Sequence, residues 1–140
     1  MTTNLQIEKN SKPLKVVIVD DDEDLLNLMI FGFQAHHFDV EVFKCGKDAL
    51  DYLSDKNNLS STRLLILDRI LPDMDGLDIL QQLSKKHEKK MPIVLILSLL
   101  NSEKDVLKGL EMGAIDYLEK PFNLNVLLDK AHTLLSHYHE

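Results

Sequence analysis

Four short clusters of polar residues follow apolar runs, and each carries a group able to do chemistry. Asp20-Asp21-Asp22 comes directly after Val16–Val19, Asp68 after Leu64–Leu67, Ser98 after Ile93–Leu97, and Lys120 two residues after Leu118. Carboxylates gathered by themselves repel and raise one another's pKa. A hard divalent cation relieves that repulsion, and Mg²⁺ prefers carboxylate and carbonyl oxygens. Asp20, Asp21 and Asp68 are therefore candidate Mg²⁺ ligands, with Lys120 as a fixed positive neighbour. Such a set suits phosphoryl transfer onto a carboxylate: the cations neutralise phosphoryl oxygens while Asp68 supplies the nucleophilic oxygen. Ser98 is placed to donate a hydrogen bond to the arriving group. The plainer reading is that the acidic run caps the next helix, since acids favour helix N-termini. It accounts for Asp22, Glu23 and Asp24, but not for Asp68 and Lys120.

These residues can meet only if the elements before them are parallel strands. The runs Leu14–Val19, Val40–Phe43, Leu64–Leu67, Ile93–Leu97 and Asp116–Leu118 read as strands, three of them nearly all Val, Ile and Leu, as sheets covered on both faces require. Between them lie amphipathic stretches that predict helices. Residues 22–36 carry Leu25, Leu28, Met29 and Phe33, and residues 46–55 carry Ala49, Leu50 and Leu53. Residues 76–86 carry Leu77, Leu80 and Leu83, residues 102–112 carry Val106, Leu107, Leu110 and Met112, and residues 124–138 carry Leu127, Leu128, Ala131, Leu134 and Leu135. The alternation predicts an α/β domain with a five-stranded parallel sheet and helices on both faces. The polar clusters then share the edge beyond the strands' carboxyl ends, where doubly wound folds place their ligands.

Composition fits this reading. The chain has 140 residues, 44% apolar and 28% charged, as in one soluble domain. A net charge of −7 and the lack of a basic stripe argue against direct nucleic-acid binding. Lys85-Lys86-His87-Glu88-Lys89-Lys90 reads as a solvated loop, and residues 1–12 as a flexible arm before a domain spanning 13–138. The single Cys45 excludes an internal disulfide and suits packing or surface better than catalysis. No signal peptide or membrane span is visible, so a cytoplasmic protein is expected. His36-His37 suits the end of the first helix, and His137 and His139 read as tail residues.

Together the motifs resemble the receiver domain of bacterial two-component response regulators over about residues 14–136. Val16-Val17-Ile18-Val19-Asp20-Asp21-Asp22 looks like the family's first strand with its acidic pair. Asp68-Arg69-Ile70-Leu71-Pro72-Asp73-Met74-Asp75-Gly76 matches the phosphoacceptor signature D-x-x-M/L-P-x-x-D-G. Ser98 falls at the Ser/Thr switch position, and Gly113–Phe122 is close to the last-strand motif with its Lys120-Pro121.

The resemblance implies a flavodoxin-like sheet in the order 2-1-3-4-5. It also implies Mg²⁺ held by Asp21, Asp68 and the backbone carbonyl of Ile70, with Asp20 acting mostly through water. Phosphate would come to Asp68 from a histidine kinase or a phosphotransfer-protein histidine. Lys120 would contact the phosphoryl group, Lys120–Pro121 would be a cis peptide, and Tyr117 would switch together with Ser98. Beyond self-phosphorylation and self-dephosphorylation no enzymatic activity is implied.

Leu99 stands where the family usually has Ala or Gly, and its bulk would crowd the phosphoryl pocket. Ile70 and Leu100 occupy two positions that flank the phosphate in the family. Neither can orient a water, which predicts slow dephosphorylation. On the face formed by the fourth and fifth of the five expected helices and the fifth strand, Asp105, Lys108, Asp116 and Lys130 partly fit the charge pattern of family dimers. Val106 and Val126 depart from it, leaving a homodimer or a downstream protein effector as alternative partners.

The competing readings are a haloacid-dehalogenase-type phosphatase, through Asp20-Asp21-Asp22, a flavodoxin, and an interaction module that is never phosphorylated. The phosphatase family usually has Thr or Val two residues after its second Asp, where this chain has Asp24. A flavodoxin needs a hydroxyl- and amide-rich loop where this chain has acids. No effector domain is expected after Tyr138, so a stand-alone receiver and a piece of a longer regulator both remain open.

Overall fold

The computed structural model describes residues 12–87 and 91–138. Parallel strands β1 (Lys15–Val19), β2 (Asp39–Phe43), β3 (Thr62–Asp68), β4 (Ile93–Ser98) and β5 (Asp116–Glu119) form one sheet in the order β2-β1-β3-β4-β5. Helices α1 (Glu23–Ala35), α2 (Gly46–Leu53), α3 (Lys56–Ser61), α4 (Gly76–Lys86), α5 (Glu103–Glu111) and α6 (Leu124–His137) connect and cover it. The expected α/β class and strand order are both present.

The three central strands are the three apolar runs, because only they are covered on both faces. Side chains of a strand alternate between faces, so β1 and β3 feed two cores. Val16, Ile18, Leu64 and Ile66 pack with α1 and α6 through Met29, Phe33, Leu127 and Ala131. Val17, Val19, Leu65 and Leu67 pack on the other side with Ala49, Leu53, Ile79 and Leu80 from α2 and α4. The edge strand β2 is at most half-buried, which its alternation of Asp39, Val40, Glu41 and Val42 allows.

Several expectations need correction. The core face of α1 is Leu26, Met29, Gly32 and Phe33. Leu28 is instead exposed and Leu25 only half-buried. The helix expected over 46–55 stops at Leu53, and a second short helix, α3, follows. Asp55 causes the break: its carboxylate accepts from the N–H groups of Asn57 at 2.8 Å and Asn58 at 3.1 Å, which starts a new helix. Leu59 of α3 is 1% exposed and closes the core beneath β3.

On α5 half of the expected apolar face turns outward, with Leu107 and Leu110 exposed and Val106 and Met112 half-buried. Its buried residue is Gly109, which lets the helix approach so closely that a Cβ there would stand 2.9 Å from Ile96 Cδ1 and 3.0 Å from the Tyr117 ring. Lys85 and Lys86 are not loop residues but form the last turn of α4, where cations suit the carbonyl end of a helix. Residues 88–90, residues 1–11 of the expected arm over 1–12, and His139 lie outside the described residues.

Candidate functional site

The register of the sheet brings the polar clusters to one edge. Asp68 pairs across with Leu97, and Ser98 with Glu119, so the ends of β3, β4 and β5 are level. On the other side Val19 pairs with both Phe43 and Leu67, which puts Asp20 beside Asp68. The Lys120 N–H donates to the Ser98 carbonyl at 2.9 Å, fastening the loop after β5 to the end of β4. The Lys120–Pro121 peptide is cis, as the motif implies.

One oxygen from each of Asp20, Asp21 and Asp68 lies within 4.8 Å of the others. Asp20 is 1% and Asp68 5% exposed, while Asp21 opens to solvent. The Lys120 ammonium bridges the two buried acids, 2.7 Å from Asp20 Oδ2 and 2.8 Å from Asp68 Oδ2. Burial pushes the Asp20 carboxyl above the usual range, although the hydrogen bonds from Lys120 and the Asp22 N–H pull the other way. Burial would lower Lys120, but Asp20 and Asp68 more than offset it and hold the ammonium charged. Three carboxylates and one ammonium leave two negative charges uncompensated. A divalent cation with a preference for oxygen matches that donor set and that charge.

Short contacts hold these groups in place. Asp20 Oδ1 accepts the Asp22 N–H at 2.9 Å, and Asp68 Oδ1 accepts the Ile70 N–H at 3.0 Å. Asp22 caps α1 by accepting the Leu25 N–H at 3.1 Å, and Glu23 and Asp24 lie in its first turn, so the capping reading holds for those three but not for Asp20 or Asp68. Gly76 packs tightly behind Asp68: a Cβ there would fall 2.2 Å from the Asp68 carbonyl oxygen. The glycine that ends the signature is thus required by close approach of α4 to β3.

Ser98 is fully buried, and its Oγ accepts the Leu100 N–H at 3.1 Å. The carbonyl of the same Leu100 accepts the hydroxyl of half-buried Tyr117. One residue therefore links both expected switch side chains. Ile70 and Leu99 are 49% and 64% exposed, on loops beside the acids, and Leu100 is half-buried.

Three contributors were not anticipated. Arg69, an unspecified position of the signature, is a buried cation whose Nη2 lies 3.1 Å from Asp75 Oδ2. Asp73, another unspecified position, reaches across to α2 and accepts the N–H groups of Gly46 and Lys47, both at 2.8 Å. Cys45, at the N-cap position of α2, makes no side-chain capping bond, so Asp73 replaces it, 27 residues beyond the Gly46 whose N–H it accepts. Gly109 makes room for Tyr117. An acid six residues after Arg69 was the available signal for the first; nothing local in the sequence marks the other two.

On the dimer face two of the four expected charges pair with each other, Lys130 with Asp116 at 2.8 Å. Val126 is 49% exposed.

The sequence matches the response regulator receiver domain over residues 16–132. The transcriptional regulatory protein CpxR of Escherichia coli K12 is 38% identical over 125 residues, 89% of this chain and 50% of that protein. The chain thus spans about half the length of the curated relatives it matches. Among solved structures, the non-phosphorylated HemR receiver domain from Leptospira biflexa superposes with a TM-score of 0.81 at 26% identity, covering 92% of this chain and 98% of that one. The BeF3-activated receiver domain of DrrB, a Thermotoga maritima protein, gives 0.75 at 32% identity, covering 89% and 98%. No described helix is long and apolar enough to cross a membrane.

Proposed function

Since the chain belongs to the response regulator receiver family of two-component signalling, we propose that Asp68 is its phosphoacceptor and that the edge around it is the site of transfer. The observation that carries this reading is the Lys120 ammonium held between the buried carboxylates of Asp20 and Asp68. In the transfer an Asp68 oxygen forms a bond to phosphorus as the phosphorus–nitrogen bond of a donor phosphohistidine breaks; the bonding pair stays on that ring nitrogen, and the ring, already protonated on its other nitrogen, leaves as neutral imidazole. The donor is a histidine kinase or a histidine phosphotransfer protein.

Asp20, Asp21 and Asp68, with the Ile70 carbonyl, would hold a Mg²⁺ ion. Bound there, the ion supplies positive charge to the phosphoryl oxygens. The chain's own part is to orient and to neutralise. The Ile70 N–H fixes one Asp68 oxygen. Lys120 lies at the other and is free to follow the phosphoryl group as a point charge. The phosphoryl group adds about −2 charge and three acceptor oxygens. The Ser98 hydroxyl, whose oxygen already accepts from Leu100, has its proton available for one of them. Movement of Ser98 would draw Leu100 along and disturb the Tyr117 contact, which gives the site a route to the face of α5, β5 and α6. A downstream protein or a second copy of the chain would read that face.

The phosphatase reading loses ground because the second acid it needs, Asp22, is spent capping α1. Incubation with Mg²⁺ and acetyl phosphate tests the proposal. The expected product is one stoichiometric, hydroxylamine-sensitive phosphate per chain, abolished by a chelator and by Asp68→Asn. Continuous release of phosphate that survives Asp68→Asn would favour the phosphatase, and neither adduct nor release would favour the silent module.

A further inference from the structure

Arg69 directly follows Asp68, yet its side chain is only 6% exposed. A buried guanidinium is costly unless its donors are matched. Here they are divided between two helices. Nε and Nη2 lie 3.4 and 3.1 Å from the two carboxylate oxygens of Asp75, which also accepts the Leu77 N–H as the N-cap of α4. Nη1 turns the other way, 3.5 Å from the Asp105 carbonyl and 3.6 Å from its carboxylate. Asp105 closes the capping box of α5 with Ser102. Burial works against the Arg69 charge, but Asp75 and the Tyr117 hydroxyl more than restore it. The residue after the phosphoacceptor thus touches the N-cap of α4 and the first turn of α5.

We propose that Arg69 is a positioning residue whose forked guanidinium clasps the first turn of α5 to the end of β3, so that a change at Asp68 is passed to α5. This rests on Asp68 as the phosphoacceptor. The coupling path runs through side chains rather than through the Ser98 loop alone. It is asymmetric: the Asp75 arm is bidentate at 3.1 and 3.4 Å, while the Asp105 arm, at 3.5 and 3.6 Å, is longer and the easier one to release. A lysine keeps the charge but cannot span both acids, because it offers a point charge in place of a planar fork.

Residue-resolved amide hydrogen exchange tests the clasp in wild type, Arg69→Lys, Arg69→Gln, Asp105→Asn and the Arg69→Lys/Asp105→Asn pair. The asparagine keeps an oxygen for the Ser102 N–H, so the capping box survives while the charge pair is lost. In resting protein, Arg69→Lys should speed exchange at Asp105–Leu107 at least about tenfold, the size of a lost charge-assisted hydrogen bond, and Asp105→Asn, which keeps the carbonyl contact and loses only the 3.6 Å ion pair, should speed it by less. Partners in one contact are not additive, so the pair should exchange no faster than Arg69→Lys alone.

With beryllofluoride and Mg²⁺, bound fluoride resonances should appear in every variant. The accompanying change in exchange on α5 should be present in wild type and lost in the Arg69 variants. Resting exchange in Arg69→Lys equal to wild type, additive singles, or an intact α5 response would overturn the clasp. Absence of bound fluoride in wild type would instead sink the phosphoacceptor reading, while the resting arm still decides the clasp. Should Arg69→Gln not fold, Arg69→Lys and Asp105→Asn carry the test.

Discussion

The Lys120 ammonium lies 2.8 Å from the Asp68 carboxylate across 52 residues of chain, and it simultaneously holds Asp20. Among the described residues it is the only cation paired to the acids of the site. Its loss leaves two buried carboxylates facing each other. Breaking a buried pair by removing one partner costs about 3–5 kcal/mol. Lys120→Met should therefore destabilise the metal-free protein by roughly 3 kcal/mol, as read by urea denaturation. Part of that loss should return when Mg²⁺ is added, because the ion replaces the missing charge. Equal stability of variant and wild type without Mg²⁺ would remove the electrostatic account of the site.

Asp73 gives the protein an acid-sensitive joint. The N–H groups of Gly46 and Lys47 hold its carboxyl below the usual range. A carboxyl depressed by folding contributes stability above its unfolded pKa, and that contribution disappears as pH falls through the depressed value. Asp73→Asn should thus lower the melting temperature at neutral pH. The gap to wild type should close on acidification below the ordinary carboxylate range. A gap that persists unchanged in acid would mean that the cap is not electrostatic.

Gly76 tolerates no side chain. A methyl group there would meet the Asp68 carbonyl at 2.2 Å, and backbone cannot swing aside as a side-chain end can. Gly76→Ala should cost about 1–3 kcal/mol or more and slow loading of Asp68, because relief requires α4 to move from β3. Denaturation and phosphorylation rates measured side by side check both effects. Wild-type values in both would show that the close approach is dispensable.

The phosphoryl group should be long-lived. Ile70 and Leu100 cannot hold a water against it, whereas a polar side chain can. After removal of the donor, phosphate on the wild type should persist for minutes or longer, and Ile70→Asn should shorten that life. Loss from wild type within seconds would contradict this.

The sequence makes the sheet legible because the central strands are buried on both faces and carry almost nothing but Val, Ile and Leu. It also makes the convergence of Asp20, Asp68, Ser98 and Lys120 legible, since parallel strands must end at one edge. What it hides depends on contacts between distant segments. Leu107 and Leu110 have helical spacing, but Gly109 chooses the buried face. Asp73 looks like a loop acid until α2 arrives without a cap of its own. Arg69 reads as an arbitrary residue of a signature, because the acids that make its burial tolerable lie on two different helices. The break at Asp55 was open to local reasoning, as an acid two and three residues before amides that need a partner.

The most direct test is chemical mapping of the acyl phosphate. Protein loaded with acetyl phosphate and Mg²⁺ is reduced with borohydride, which converts a phosphorylated aspartate to homoserine, and the peptides are sequenced by mass spectrometry. Homoserine should occur at position 68 alone and only in loaded samples. Homoserine at position 20 or 21, or a stable phosphate on Ser98 with position 68 unchanged, would contradict the assignment of the site.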